Sequence, residues 1–152
     1  MDKGKNSVKL YNVLFPVWML ILFPSVWLIV FPGNFIIDSL VLIIGVAVFK
    51  IAERKKWYKQ HIGKIFLFGM LSDFVGAGYM LLMLAGFEIG QMGDEWYLTV
   101  PAIVISAVLI FVLNYYITFR KAEKSLRLKL AALFAIATAP YTFLIPTAWL
   151  YS

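Results

Sequence analysis

Cysteine is absent from this chain. Disulfides, thiolate metal sites and a cysteine nucleophile are excluded with it. Charge is scarce: 14% of residues are charged, where a soluble domain carries about a quarter. There is a single histidine, His61, and no further ligand stands beside it in the sequence to complete a metal site. No Walker-type loop, HExxH, GxSxG or Rossmann fingerprint occurs, and Gly76-Ala77-Gly78 is too short for a phosphate loop. No metal, cofactor or catalytic residue is therefore expected.

What the chain has instead is apolar surface. Of its 152 residues 62% are hydrophobic, and the mean hydropathy is +0.86. Water does not stabilise that much apolar surface, but lipid does. An apolar run of about 20 residues spans the ~30 Å hydrocarbon layer as a helix. Five such runs can be drawn, at about 10–31, 34–51, 63–87, 97–119 and 128–150. Backbone polar groups in lipid must be paired within the segment, and strand-type alternation is missing, so the runs read as helices. The expected fold is all-α, a single five-helix transmembrane domain. No cleavable signal peptide is expected, because the first run is long, carries prolines and lacks a small-residue cleavage site.

The 14 basic residues are distributed unevenly. Lys3, Lys5 and Lys9 precede the first run. Lys50, Arg54, Lys55, Lys56, Lys59 and Lys64 surround the second connection. Arg120, Lys121, Lys124, Arg127 and Lys129 surround the fourth. The remaining connections have no Lys or Arg, and the long one holds Glu88, Asp94 and Glu95. Basic connections stay cytoplasmic. The pattern predicts a multi-pass protein of the cell membrane with its N-terminus inside and its C-terminus outside. A net charge of +6 so placed points to anionic lipid headgroups as partners, with Arg54, Lys55, Lys56, Lys59, Arg120 and Lys121 in contact, and not to nucleic acid.

The first two runs leave an ambiguity. Phe-Pro recurs at Phe15-Pro16, Phe23-Pro24 and Phe31-Pro32. Pro32-Gly33-Asn34 reads as a tight turn between two helices, and a re-entrant hairpin over this stretch is the alternative. The aromatic residues Trp57, Tyr58, Trp96, Tyr97, Trp149 and Tyr151 fall at expected interfaces, where amphipathic rings prefer headgroup depth.

Asp73 is the most informative residue. It follows Lys64 by nine positions, roughly 14 Å along a helix, which puts it near the bilayer midplane. An ionisable group there costs about 2.5–3.5 kcal/mol on insertion scales and faces a bundle interior or a wet cavity. Gly69, Ser72, Asp73, Gly76 and Ala77 share one helical stripe, whose small residues admit a close neighbour. No Lys or Arg lies at that depth, so Asp73 either keeps its proton or binds a cation. Asp38, one turn beyond Asn34, is expected near the outer end of its helix. Asn114 is expected in the inner third of its own. Together Asp38, Asp73 and Asn114 form a staggered set of polar stations, with Ser72 beside them. Ala131, Ala135 and Ala139 form a second packing face, and Pro140 and Pro146 interrupt the last helix.

The functional expectation is non-enzymatic: binding or transport of a proton, a small cation or an amphipathic solute through this polar site. An accessory subunit packed against another membrane protein, or against a second copy of itself, is the competing expectation. A lipid-modifying enzyme would have to work with His61 or an Asp at the basic rim.

Overall fold

The computed structural model describes residues 24–86 and 96–144. Helix α1 covers Pro24–Val48, α2 Arg54–Gly86, α3 Trp96–Leu113 and α4 Lys124–Ala137. A π-helical turn, Asn114–Thr118, prolongs α3, and a 3-10 turn, Tyr141–Leu144, follows a break after α4. The protein is all-α, with four helices long and apolar enough to cross a membrane. Each packs against its sequence neighbours, and α4 closes back onto α1. The connections 49–53 and 119–123 are short, so the bundle runs up and down.

Two boundaries differ from the sequence expectation. The turn expected at Pro32-Gly33 is not there, because α1 runs through Pro32 without interruption. Pro32 withholds a donor from the Leu28 carbonyl, but membrane helices tolerate this where local adjustments compensate. The described part of the predicted 10–31 run is thus the start of α1, and the spans described number four. The third predicted run also starts nine residues earlier than expected, so Arg54, Lys55, Lys56 and Lys59 lie on the first turns of α2 and not in a loop. Phe87 and residues 145–150 of the predicted runs lie outside the described residues, as do Pro146, Trp149 and Tyr151.

Polarity is arranged inside out. The buried residues of α1 are Asp38, Leu42, Gly45 and Val46, a single i, i+4, i+7, i+8 stripe. Its other faces present large apolar side chains outward, Leu28 at 81% exposure among them. A soluble bundle would show Asp38 and hide Leu28. Lipid as solvent reverses both preferences.

The core has two apolar clusters. One, toward the basic end, gathers Leu42, Val46, Ile62, Ile65, Ile110, Phe119, Leu130 and Phe134. The other gathers Ala77, Met80, Leu98, Ala102, Ile103, Ala139 and Phe143. On α2 the buried polar residues Ser72 and Asp73, and on α3 Ser106, fall between the residues of these two clusters, while Asp38 lies one turn before Leu42 on α1. The turn after α1 is closed by Lys50 N–H on the Ala47 carbonyl at 3.3 Å and Ile51 N–H on the Val46 carbonyl at 3.0 Å. This is a Schellman arrangement with Lys50 in the left-handed position at φ 53.

Candidate functional site

The polar layer has two sides. On the α2–α3 side Ser106 Oγ donates to the Ser72 carbonyl at 2.9 Å. Ser72 Oγ donates to the Phe68 carbonyl at 2.7 Å. The helices approach this closely because Gly76 has no side chain. A Cβ there would collide with Ser106 Oγ and stand 3.2 Å from the Ala102 carbonyl oxygen. Gly76, Ala77, Ser72 and Asp73 are all buried, and Gly69 is half-buried. On this side both the Ser72 and the Ser106 hydroxyls have partners.

The other side is different. Asp38 from α1 and Asp73 from α2 line one cavity of about 210 Å³, together with Asn34, Gly69 and the segment 137–142. Asp38 is 4% exposed and Asp73 8%. Asn34 Nδ2 donates to Asp73 Oδ2 at 3.3 Å and also contacts Met70 Sδ at 3.1 Å. Asp73 Oδ1 is buried with no hydrogen-bond partner. Asp38 Oδ2 lies over Gly69, 3.4 Å from where a Cβ would be. Among the described residues no Lys, Arg or His lines the cavity.

The third wall is the break in α4. Pro140 has no N–H to give the Ile136 carbonyl, and the Tyr141 hydroxyl donates to that carbonyl instead. The Tyr141 amide donates to the Ala139 carbonyl at 2.7 Å, so it is not available to Ala137 as it would be in a continuous helix. Thr138 Oγ1 turns back onto the Phe134 carbonyl at 2.8 Å. Unwound main chain with freed carbonyls therefore borders two carboxyls.

This chain matches no protein-family model, no curated protein and no solved structure.

The structure brings together Asp73 and Asp38 but not Asn114. Asp38 is not at the outer end of its helix. It lies 14 residues into α1, about 21 Å from Pro24, because α1 begins ten residues before the expected start at Asn34. Asn114 is fully buried toward the basic end, inside the π turn. Its Nδ2 donates to the Ile110 carbonyl at 2.9 Å, while its Oδ1 has no partner. The three expected stations are thus a pair at one level and a separate amide. Ala131 and Ala139 are buried, and Ala135 packs at the edge of the cluster toward the basic end. Two contributors were not singled out from the sequence. Ser106 is a lone hydroxyl in an apolar run, and only its depth, level with Ser72, marks it. Asn34 was assigned to a turn that does not form.

His61 and Tyr58 are more committed than interfacial residues. His61 stacks on Trp57 with centroids 4.0 Å apart, and its Nδ1 lies 2.7 Å from the Trp57 carbonyl. Tyr58 Oη shares a 2.9 Å hydrogen bond with Ser39 Oγ of α1. Trp96 and Tyr97 are exposed at the opposite end. Among the described residues, no three His, Asp or Glu side chains come together as a metal-ligand group.

Proposed function

We propose that the protein binds and passes a proton or a small cation through the cavity between Asp38 and Asp73. The observation that carries this reading is the pairing itself: two carboxyls in one small cavity within the bundle, with no basic side chain around it among the described residues. Holding two bare carboxylates out of water costs several kcal/mol per ion. A proton shared between them, or a cation held by both, removes that cost. The neighbouring groups suit the same ligands. Asn34 offers an amide, and the break in α4 brings unwound main chain to the cavity wall at 137–142, as the broken helices of some transporters do at their cation sites. A volume of about 210 Å³ holds several waters or a partly hydrated ion, and is below the ~300–1,000 Å³ of sites for drug-sized ligands. Size thus favours a proton or small cation over a bulky amphipathic solute.

In the proposed arrangement the basic connections face the cytoplasm and the far end of α4 faces outward. Lys3, Lys5 and Lys9 obey the same rule only if one further crossing precedes α1, and that fifth crossing is part of the proposal.

The test is flux in reconstituted vesicles under an imposed proton or alkali-cation gradient. Asp73→Asn and Asp38→Asn are each expected to lower it at least tenfold. Wild-type flux in both variants would remove the carboxyl pair from the mechanism.

A further inference from the structure

A second cleft, of about 490 Å³, opens at the basic end of the bundle. It is lined by Gln60, His61 and Lys64 of α2, by Tyr116, Ile117 and Thr118 of the π turn, and by Arg120 and Lys121 beyond it. Among the described residues no carboxylate lines it. Among the described residues the ion pair is Lys56 with Glu53, on the first turn of α2 and outside the cleft. Among the described residues, Lys64, Arg120 and Lys121 therefore share one concave space without a counter-charge.

The π turn builds this space. Phe119 N–H closes onto the Asn114 carbonyl at 2.8 Å, five residues back, which inserts one extra residue into the turn. Phe119 is thereby buried against the rings of Trp57 and His61, at centroid distances of 5.8 and 5.6 Å. Arg120 and Lys121, the next residues, stay exposed along the cleft. π turns of this kind occur frequently at functional sites. The stack also fixes His61 as a rigid wall. A carbonyl only accepts, so Nδ1 carries the hydrogen toward Trp57 and Nε2 is left for other partners. Thr118, 5% exposed, lines the cleft, and its Oγ1 is buried without a hydrogen-bond partner.

We propose that this cleft is a binding site for a phosphate group. Arg120 supplies a planar fork suited to phosphate oxygens, and the two lysines supply point charges. Gln60 adds a neutral donor. The group can arrive on an anionic phospholipid or on a soluble phosphate compound. The site is separate from the carboxyl pair and does not depend on the cation reading.

Six basic side chains were expected at headgroup depth from the sequence, and the structure divides them. Arg120 and Lys121 line the cleft, whereas Arg54, Lys55, Lys56 and Lys59 do not. That division supplies the test. The full chain would be placed in detergent and titrated with phosphatidylglycerol, phosphatidylcholine, inorganic phosphate or glycerol 3-phosphate, reading thermal stabilisation and lipid retention by native mass spectrometry. Three triple variants are compared: Lys64→Gln/Arg120→Gln/Lys121→Gln in the cleft, Arg54→Gln/Lys55→Gln/Lys59→Gln outside it, and the charge-conserving Lys64→Arg/Arg120→Lys/Lys121→Arg. The cleft triple is expected to weaken phosphatidylglycerol binding about a hundredfold, near fivefold per charge. The outside triple is expected to weaken it less than tenfold, and the charge-conserving triple to keep most of it. Stabilisation by phosphatidylglycerol alone assigns the phosphate to lipid. Stabilisation by inorganic phosphate or glycerol 3-phosphate as well assigns it to a soluble compound. Equal losses in the cleft and outside triples, or no preference for phosphatidylglycerol over phosphatidylcholine together with no response to either soluble phosphate, overturn the site. Should the neutral cleft triple fail to fold, the decision passes to wild type and the charge-conserving triple, both of which must bind.

Discussion

Asp73 is held by less than its burial demands. One oxygen accepts a 3.3 Å bond from Asn34, and the other accepts none. A buried acceptor left unmade costs about 1–3 kcal/mol, and more if it is charged. Such a deficit is sensible where a ligand completes the shell. Asp73→Asn keeps the shape and removes the charge, so thermal unfolding in detergent is expected to give an unchanged or higher midpoint while flux is lost. A midpoint that falls along with flux would make Asp73 a structural group. Glycine offers a contrast on the same helix. Gly76→Ala forces a Cβ into Ser106 and the Ala102 carbonyl, and overpacking of this kind costs about 1–3 kcal/mol. Gly78→Ala meets nothing within 4 Å and should gain roughly 0.5 kcal/mol from helix propensity. Comparing the two unfolding midpoints checks the pair, and equal shifts would deny the close approach at Gly76. The burial of Asp73 was legible in the sequence because it lies on a stripe of small residues, Gly69, Ser72, Gly76 and Ala77, that admits a close neighbour. The position of Asp38 along its helix was not, because it was counted from a turn at Pro32-Gly33 that the chain does not make.

At the scale of whole elements, proline was a poor guide in one place and a good one in another. Pro32 sits within a helix whose apolar stripe continues past it, and packing of Asp38, Leu42, Gly45 and Val46 against the neighbouring helices outweighs one missing donor. Pro140 coincides with the end of the apolar face of α4, and there the helix does break. The π turn left no mark in the sequence, since it arises from seating Phe119 between His61 and Phe134, a tertiary demand. The end of α1 is the element whose local strain is clearest. Lys50 adopts φ 53 without being glycine, which costs about 1–2 kcal/mol. Its charge near a helix C-terminus returns about 0.3–1 kcal/mol. Lys50→Gly should therefore raise stability by about 0.5–1 kcal/mol, read as a higher unfolding midpoint. A lower midpoint would mean that the Lys50 side chain contributes more than its backbone costs.

For the molecule as a whole, charge and fold agree independently. Of the 14 basic residues, three precede Pro24. The other 11 all belong to the end where α1 meets α2 and α3 meets α4. The sequence assigned that end to the cytoplasm from Lys and Arg alone, and the up-down bundle collects the same residues at one end from helix packing. Absence of cysteine makes the orientation directly measurable, because every introduced thiol is unique. In intact cells a membrane-impermeant maleimide should label Trp96→Cys and spare Glu123→Cys until the membrane is permeabilised. The reverse pattern would invert the molecule, and labelling of both in intact cells would deny that α3 crosses. Lys5→Cys then counts the crossings ahead of Lys50. Three lysines in a short leading segment resist translocation, so this thiol is expected to be protected like Glu123→Cys, which requires a crossing before α1. Labelling from outside would leave α1 as the single crossing between Lys5 and Lys50, and four in all. The carboxyl pair would keep its depth in either case, because Asp38 and Asp73 are positioned by α1, α2 and the break in α4, none of which depends on what precedes Pro24.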